Sequence, residues 1–288
     1  MMSAPHKFVY FGTPSVAGDT LVTLLVQGFT PALVVTSPDA PRGRGLVLTP
    51  CPTKVIAREH HLPVLTPEKL DDKAIAAIAA YGADYGVCVA YGKIFPEELI
   101  ALFPRGVLNV HYSLLPKYRG ATPLETALRR GETVTGVTIQ KMAKELDAGD
   151  LVTQESTSIG PEETACELRP RLVELGARLL IETLPLFERD EIVAKPQDAA
   201  LATRAYKLKK KDGCLSLTAP AQDNWNTYRA YADSIGTYFM HDGKRVKITS
   251  AALRNGMFTI ERVIPEGKRE MSYAQFETAS TSRNEASA

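Results

Sequence analysis

The chain has 288 residues, 44% hydrophobic and 23% charged, enough to bury a sizeable core in one large domain plus a small one. No run of about 18 apolar residues and no apolar leader core after Met1 argue against a membrane span or signal peptide, and four dispersed cysteines (51, 88, 166, 214) with no CxxC pair argue against a zinc knot or disulfide framework, so a reducing cytosol is expected. The net charge of +1 says little alone, but residues 200–288 carry 14 Lys+Arg against 9 Asp+Glu while the rest carry 20 against 24, a basic tail-end module compatible with a polyanionic partner.

In chain order, the first half alternates strand and helix signals. Residues 7–11 are a short apolar run read as a strand. Thr13-Pro14 follows as N-cap and first-turn proline, with Gly28 as the helix stop. Residues 32–36 form a second strand, and the Pro- and Gly-dense residues 38–50 read as a long loop. Helices are expected over 52–61, 71–81 and 96–103, and apolar strands over 83–90 and 107–111. Thr122-Pro123-Leu124-Glu125 has the form of a capping box opening a helix that stops near Gly131; 134–142 is strand-like and 163–189 a long helix. Alternating βα units predict a largely parallel sheet covered on both faces, with ligands beyond the carboxyl ends of its strands. That rule points to loops 12–14, 90–93 and 109–120.

After Pro196 the character changes. Lys207, Lys209, Lys210 and Lys211 cluster, and residues 235–264 look like short strands turning at Asp242-Gly243 and Asn255-Gly256. The expected organisation is a catalytic domain over 1–203, a small β-rich domain over 204–279 and a disordered polar tail over 280–288.

Residues 106–124 hold the densest chemistry. Asn109 and His111 are two apart on a predicted strand, so their side chains share one face at its carboxyl end. Histidine is the commonest general acid–base residue, and the asparagine amide is a neutral donor able to hold the oxygen of a carbonyl under attack. Alone, the pair also fits a structural histidine. Asp147 lies 36 residues past His111, beyond one helix and one strand, so it can return to the same sheet end and orient the ring in its charged form. Alternatively, Asp147-Ala148-Gly149-Asp150 is a surface turn. The first strand–helix turn, Gly12-Thr13-Pro14, lacks G-x-G-x-x-G, and no P-loop or G-x-S-x-G elbow occurs. His60-His61 cannot aim both rings at one ion from a helix, so no metal site is expected.

In combination these segments form a known pattern. Asn109-Val110-His111, Ser113-Leu114-Leu115-Pro116, Tyr118-Arg119-Gly120-Ala121, Gly136-Val137-Thr138 and Leu146-Asp147-Ala148-Gly149-Asp150 resemble the folate-dependent formyltransferase family. Phe11-Gly12-Thr13-Pro14, residues 36–45, residues 48–54 and Val89-Ala90-Tyr91-Gly92 are similar to the branch that acts on methionyl-tRNA rather than on amino sugars. The likeness runs to about residue 279 and thins after 213. It implies a Rossmann-like α/β domain with a mostly parallel sheet, then a small, shortened OB-like β-barrel. It further implies transfer of the formyl group of 10-formyltetrahydrofolate to the α-amino group of initiator methionyl-tRNA by a monomeric cytoplasmic enzyme; the alternative is a sugar-nucleotide N-formyltransferase using the same cofactor. Carried over by position, Asn109, His111 and Asp147 are the catalytic trio. Ala90, Tyr91, Gly92, Ser113, Leu114, Leu115 and Pro116 contact the folate. Arg42, Arg44, Lys207, Lys209, Lys210, Lys244, Arg245 and Lys247 face the tRNA. Three departures stand out. Tyr112 replaces a usually small residue, which would narrow or reshape the pocket; Ser216-Leu217 and Ser234-Ile235-Gly236 stand where Trp-containing stretches are usual; and the segment between the matching barrel pieces at 242–248 and 265–272 is much shorter than usual.

Overall fold

Phe8–Gly12 (β1) has no polar face, and every residue of it is buried, as a parallel sheet covered on both sides requires. In the computed structural model, which describes residues 6–43 and 45–285, this strand lies inside the main sheet. The chain continues through helix Ser15–Val26 (α1), strand Leu33–Val35 (β2), a hairpin of Ala40–Arg42 (β3) and Val47–Thr49 (β4), and helix Pro52–Glu59 (α2). Strand Val64–Leu65 (β5), helix Asp72–Ala79 (α3), strand Tyr85–Val89 (β6), helix Glu97–Ala101 (α4) and strand Val107–His111 (β7) come next. Arg119–Gly120 (β8), helix Pro123–Arg129 (α5), strands Val134–Lys141 (β9) and Leu151–Ser158 (β10), and helix Ala165–Glu188 (α6) follow. The remainder comprises Arg204–Ala205 (β11), helix Ala221–Tyr231 (α7), strands Thr237–His241 (β12), Lys244–Arg254 (β13), Met257–Pro265 (β14) and Met271–Ser272 (β15), and helix Tyr273–Glu285 (α8).

Two compact units result. The first holds residues up to Gly120 with Gly136–Thr157 and Pro170–Arg204; the second holds Ala121–Thr135, Ser158–Arg169 and residues from Ala205 on. Two excursions, 121–135 and 158–169, therefore group with the C-terminal part, which a linear boundary at 203 does not anticipate.

The first unit is built on a seven-stranded sheet in the order β10-β9-β7-β6-β1-β2-β5. β7, β6, β1, β2 and β5 are parallel, and β9 runs antiparallel to β7. Alternation along β1 divides the core. Val9 and Phe11 pack with Val35, Ile78, Phe95, Leu99 and Phe103 on one face. Tyr10 points to the other, where its hydroxyl donates to the Ala17 carbonyl of α1 at 2.7 Å. From β1 the chain moves outward through β2 and β5 and then crosses back to β6 on the other side of β1, which makes the β1/β6 boundary the switch point of this open α/β sheet, the kind of place where ligands bind.

The second unit has a four-stranded antiparallel sheet, β12-β13-β14-β15. Leu215, Phe239, Val246, Ile248, Val263 and Phe276 fill its core. Its hairpins turn where expected, through Asp242 (φ 47°) and Gly243 (φ 71°), and through Asn255 (φ 52°) and Gly256 (φ 76°), the paired positive φ values of a two-residue turn.

Several local expectations differ from the structure. Within the expected loop, Ala40–Arg42 and Val47–Thr49 pair as antiparallel strands, with Ala40 opposite Thr49 and Arg42 opposite Val47. Gly43 at φ 70° starts the reversal. Pro14 rather than Thr13 occupies the α1 N-cap; the Thr13 hydroxyl is drawn instead to the Tyr91 carbonyl at 3.1 Å and Ser37 Oγ at 3.1 Å. The capping box at α5 does not form: Thr122 Oγ1 donates to the Tyr206 carbonyl at 2.7 Å and Glu125 pairs with Arg169 at 3.1 Å. α7 was absent from the expected β-rich region because its inward face is largely polar, with Asn224, Asn226, Thr227 and Arg229 all buried. α8 carries helix through residues 280–285 of the expected disordered tail; residues 286–288 lie outside the described residues. Among the described residues, no helix is long and apolar enough to cross a membrane.

Candidate active site

β7 ends on His111, and the antiparallel register of β9 sets Gln140 opposite Asn109 and Thr138 opposite His111. The turn after β9 then brings Asp147 over this face. Asp147 itself lies in the left-handed region, at φ 53°. Two residues on, a Cβ at Gly149 would overlap the Lys141 carbonyl oxygen, so the turn is pressed against the end of β9 in a way that only glycine permits.

The Asp147 carboxylate is caged by donors. Oδ2 accepts the Gly120 N–H at 2.8 Å, and Oδ1 accepts Gln140 Nε2 at 3.0 Å and, at a long 3.5 Å, Asn109 Nδ2. An acceptor-only carboxylate satisfies such a set and an amide cannot. His111 Nδ1 is 3.6 Å from Asp147 Oδ2. Its Nε2 is 2.9 Å from the Tyr118 carbonyl oxygen, which can only accept, so Nε2 carries a hydrogen and Nδ1 is the nitrogen turned toward the carboxylate.

The 113–116 turn is held from β9 and β10. Thr138 Oγ1 donates to the Ser113 carbonyl at 2.6 Å and accepts the Leu115 N–H at 3.1 Å, while Gln154 Nε2 donates to the Leu115 carbonyl at 2.7 Å. The Leu115–Pro116 bond is cis. Ser113 is fully buried, and its hydroxyl donates to the Lys117 carbonyl at 2.6 Å. Leu115 is buried, and Leu114 and Pro116 are half-buried. Across the switch point, Ala90 (φ 47°) and Gly92 (φ 82°) are exposed, and nothing stands within 4 Å of a Cβ at Gly92. Tyr91 between them turns into the core, edge-on to Phe11 and Phe95. This turn therefore offers its backbone, and not the Tyr91 ring, to a ligand.

Tyr112 does not line the site. As the residue after His111 it points to the opposite face, where its ring stands 3.3 Å from a Cβ built on Gly176 of α6. The expected narrowing of the pocket is therefore absent. Gln140, which no motif contains, joins the cluster, as do the Gly120 amide and the Tyr118 carbonyl, whose motif carried no assigned role.

The basic residues are dispersed. Arg42 ends β3, and Arg44 lies outside the described residues. The root of their hairpin is fixed by Lys54 Nζ and Asp39 Oδ1 at 2.6 Å. Lys207, Lys209, Lys210, Lys244, Arg245 and Lys247 are exposed in the second unit. There Lys247 pairs with Tyr238 across β12–β13, and the Arg245 guanidinium lies 4.2 Å from the Tyr238 ring centroid.

The formyl transferase family matches residues 6–184, and its C-terminal domain matches residues 207–259. The chain belongs to the formyl transferase family. This formyltransferase is 41% identical over 249 residues to the methionyl-tRNA formyltransferase of Heliobacterium modesticaldum, covering 86% of this chain and 79% of that one. To the methionyl-tRNA formyltransferase of Carboxydothermus hydrogenoformans it is 39% identical over 294 residues, covering 94% and 95%. Among solved structures, the N-formyltransferase from Helicobacter canadensis in complex with folinic acid and dTDP-3-aminofucose shares the fold, with a TM-score of 0.68 over 93% of this chain and 98% of that one at 18% identity.

Proposed function

We infer that this formyltransferase moves the formyl group of 10-formyltetrahydrofolate onto the α-amino group of initiator methionyl-tRNA, the step that prepares that tRNA for translation initiation. The observation that carries this is the Asn109, His111 and Asp147 cluster in a chain 39% identical, across 94% of its length, to a methionyl-tRNA formyltransferase. A folate-derived formyl donor follows from the family, and folate ligands occur in structures that share the fold.

The chemistry is acyl transfer to a neutral amine. Attack on the formyl carbon puts negative charge on its oxygen. Asn109 Nδ2 is bound only at 3.5 Å and is free to donate there. His111 can donate to the same oxygen through Nδ1. Because Nε2 is already committed to Tyr118, the donating ring carries both hydrogens, with Asp147 beside it as the counter-charge. Asp147 also takes the proton released by the amine, directly or through water; the bond from the formyl carbon to the donor nitrogen breaks, and the proton returns to that nitrogen. Two nearby nucleophiles are out of play, which supports direct transfer. The Ser113 hydroxyl is tied to the Lys117 carbonyl, and burial pushes the Cys88 thiol up to about 12.

The backbone of 90–92 and the 113–116 turn are assigned to the folate, with Leu114 and Pro116 at its edge. Arg42, Arg44 and the Lys and Arg residues of the second unit are assigned to the tRNA phosphates. The first unit is then assigned to catalysis and the second, which holds residues 205–279, to the tRNA. The enzyme is assigned as a monomer, and the substrate supports a cytoplasmic location.

The test is turnover of Asn109→Ala and His111→Ala. Each is expected to lose about 10²-fold in kcat while keeping the wild-type melting profile. Wild-type turnover in either would remove that residue from the mechanism.

A further inference from the structure

Gln197 lies outside every motif described above, yet its side chain reaches the turn that carries the catalytic carboxylate. Its Nε2 donates to the main-chain carbonyls of Asp147 at 2.9 Å and Gly149 at 2.7 Å, and stands 3.3 Å from Gln140 Oε1. Its Oε1 accepts from Arg119 Nε at 3.0 Å and Nη2 at 2.8 Å. Arg119 is buried and precedes Gly120, whose N–H holds Asp147 Oδ2. One amide therefore ties the turn to β9 on one side and to residues 119–120 on the other.

The turn has reason to need such a brace. Asp147 sits at φ 53°, in a left-handed region uncommon for residues with a side chain, so contacts to its backbone help to hold the turn. Two carbonyls and a guanidinium make opposite demands, and an amide with a donor end and an acceptor end meets both. A glutamate could serve only the arginine, and a methionine neither.

We propose that Gln197 is a positioning residue for formyl transfer: by bracing the backbone of residues 147–149 it fixes the Asp147 carboxylate beside the His111 ring. The role rests on Asn109, His111 and Asp147 being the catalytic cluster.

A purely structural brace would lower the melting temperature and leave the kcat of the folded enzyme unchanged. A positioning brace changes kcat and depends on the carboxylate that it positions. The experiment is steady-state kinetics of the full chain, with 10-formyltetrahydrofolate and methionyl-tRNA, on Gln197→Met, Gln197→Glu, Asp147→Asn and the double variant Gln197→Met/Asp147→Asn. Both Gln197 variants are expected to lose about 10- to 100-fold in kcat, with both KM values within about twofold of wild type. Gln197→Glu keeps an acceptor for Arg119, so its loss isolates the turn from the arginine. In the Asp147→Asn background the further loss from Gln197→Met is expected to shrink below about threefold, since no carboxylate is left to position. Wild-type kcat in either single variant, or an undiminished loss in the double variant, overturns the proposal. If Asp147→Asn itself keeps wild-type kcat, the catalytic cluster falls instead. Loss in Asp147→Asn with none in the Gln197 variants removes only the role of Gln197.

Discussion

His111 Nδ1 faces Asp147 Oδ2 at 3.6 Å while its Nε2 is held 2.9 Å from the Tyr118 carbonyl. A main-chain carbonyl is a permanent acceptor, so the ring cannot exchange its two nitrogens without leaving Nε2 facing it bare. Nitrogen-15 NMR at a pH where the ring is neutral is therefore expected to show the hydrogen of His111 on Nε2. A neutral ring carrying its hydrogen on Nδ1 would contradict this arrangement and with it the direction from which Nδ1 serves the formyl oxygen.

Gly149 is the point at which the Asp147 turn touches the end of β9. An added methyl group meets the Lys141 carbonyl, which is backbone and cannot swing aside. Gly149→Ala is expected to cost about 2 kcal/mol or more in stability by denaturant unfolding, with a loss of kcat in the fraction that folds. A variant as stable and active as wild type would mean that the turn is looser than the packing indicates.

The open face of the second unit's sheet joins charge to an aromatic surface, with Arg245 over Tyr238 and Lys247 paired beside it. If these cations meet phosphate, Arg245→Ala with Lys247→Ala should raise KM for the tRNA and lower the salt slope of its binding by about 2, roughly one for each charge removed. The affinity for the folate donor should not move. An unchanged tRNA salt dependence would take this face out of the interface.

Alkaline stability follows from buried acids. Burial raises the Tyr10 and Tyr85 phenols above their ordinary value and pushes the Cys88 thiol up to about 12. Unfolded, such groups ionise at about 8.5–10. The native state therefore keeps protons that the unfolded state gives up. Its stability is complete below the unfolded values and is lost as pH rises through them toward the native ones. The melting temperature is expected to fall steadily from about pH 8.5 to about pH 10.5; a flat profile over that window would contradict the burial of these groups.

The parallel core was legible because doubly buried strands write themselves as apolar runs, as in β1, β6 and β7. Period two was enough to pair Asn109 with His111, and the same rule sends Tyr112 to the far side, a consequence that the comparison with the family pattern obscured. Gln140 was invisible because its role depends on the register of β9 against a strand about 30 residues earlier. Gln197 was further out of reach, since its partners lie about 50 and 78 residues away. α7 buries Asn224, Asn226 and Arg229, and partners such as the Gly160 carbonyl for Arg229 and the Ser216 carbonyl for Asn224 come from other segments, so no apolar period marks the helix. The hairpin at 40–49 shows in the sequence only as Pro and Gly density, which fits a loop equally well.

The central claim is tested most directly by following labelled formyl transfer from 10-formyltetrahydrofolate to charged initiator methionyl-tRNA at about 50 and 200 mM salt. Formylmethionyl-tRNA should appear at the lower salt and more slowly at the higher, as the proposed electrostatic tRNA contact requires. No product on the tRNA at either salt, together with formylation of an amino-sugar nucleotide, would contradict the assignment and make the acceptor a sugar.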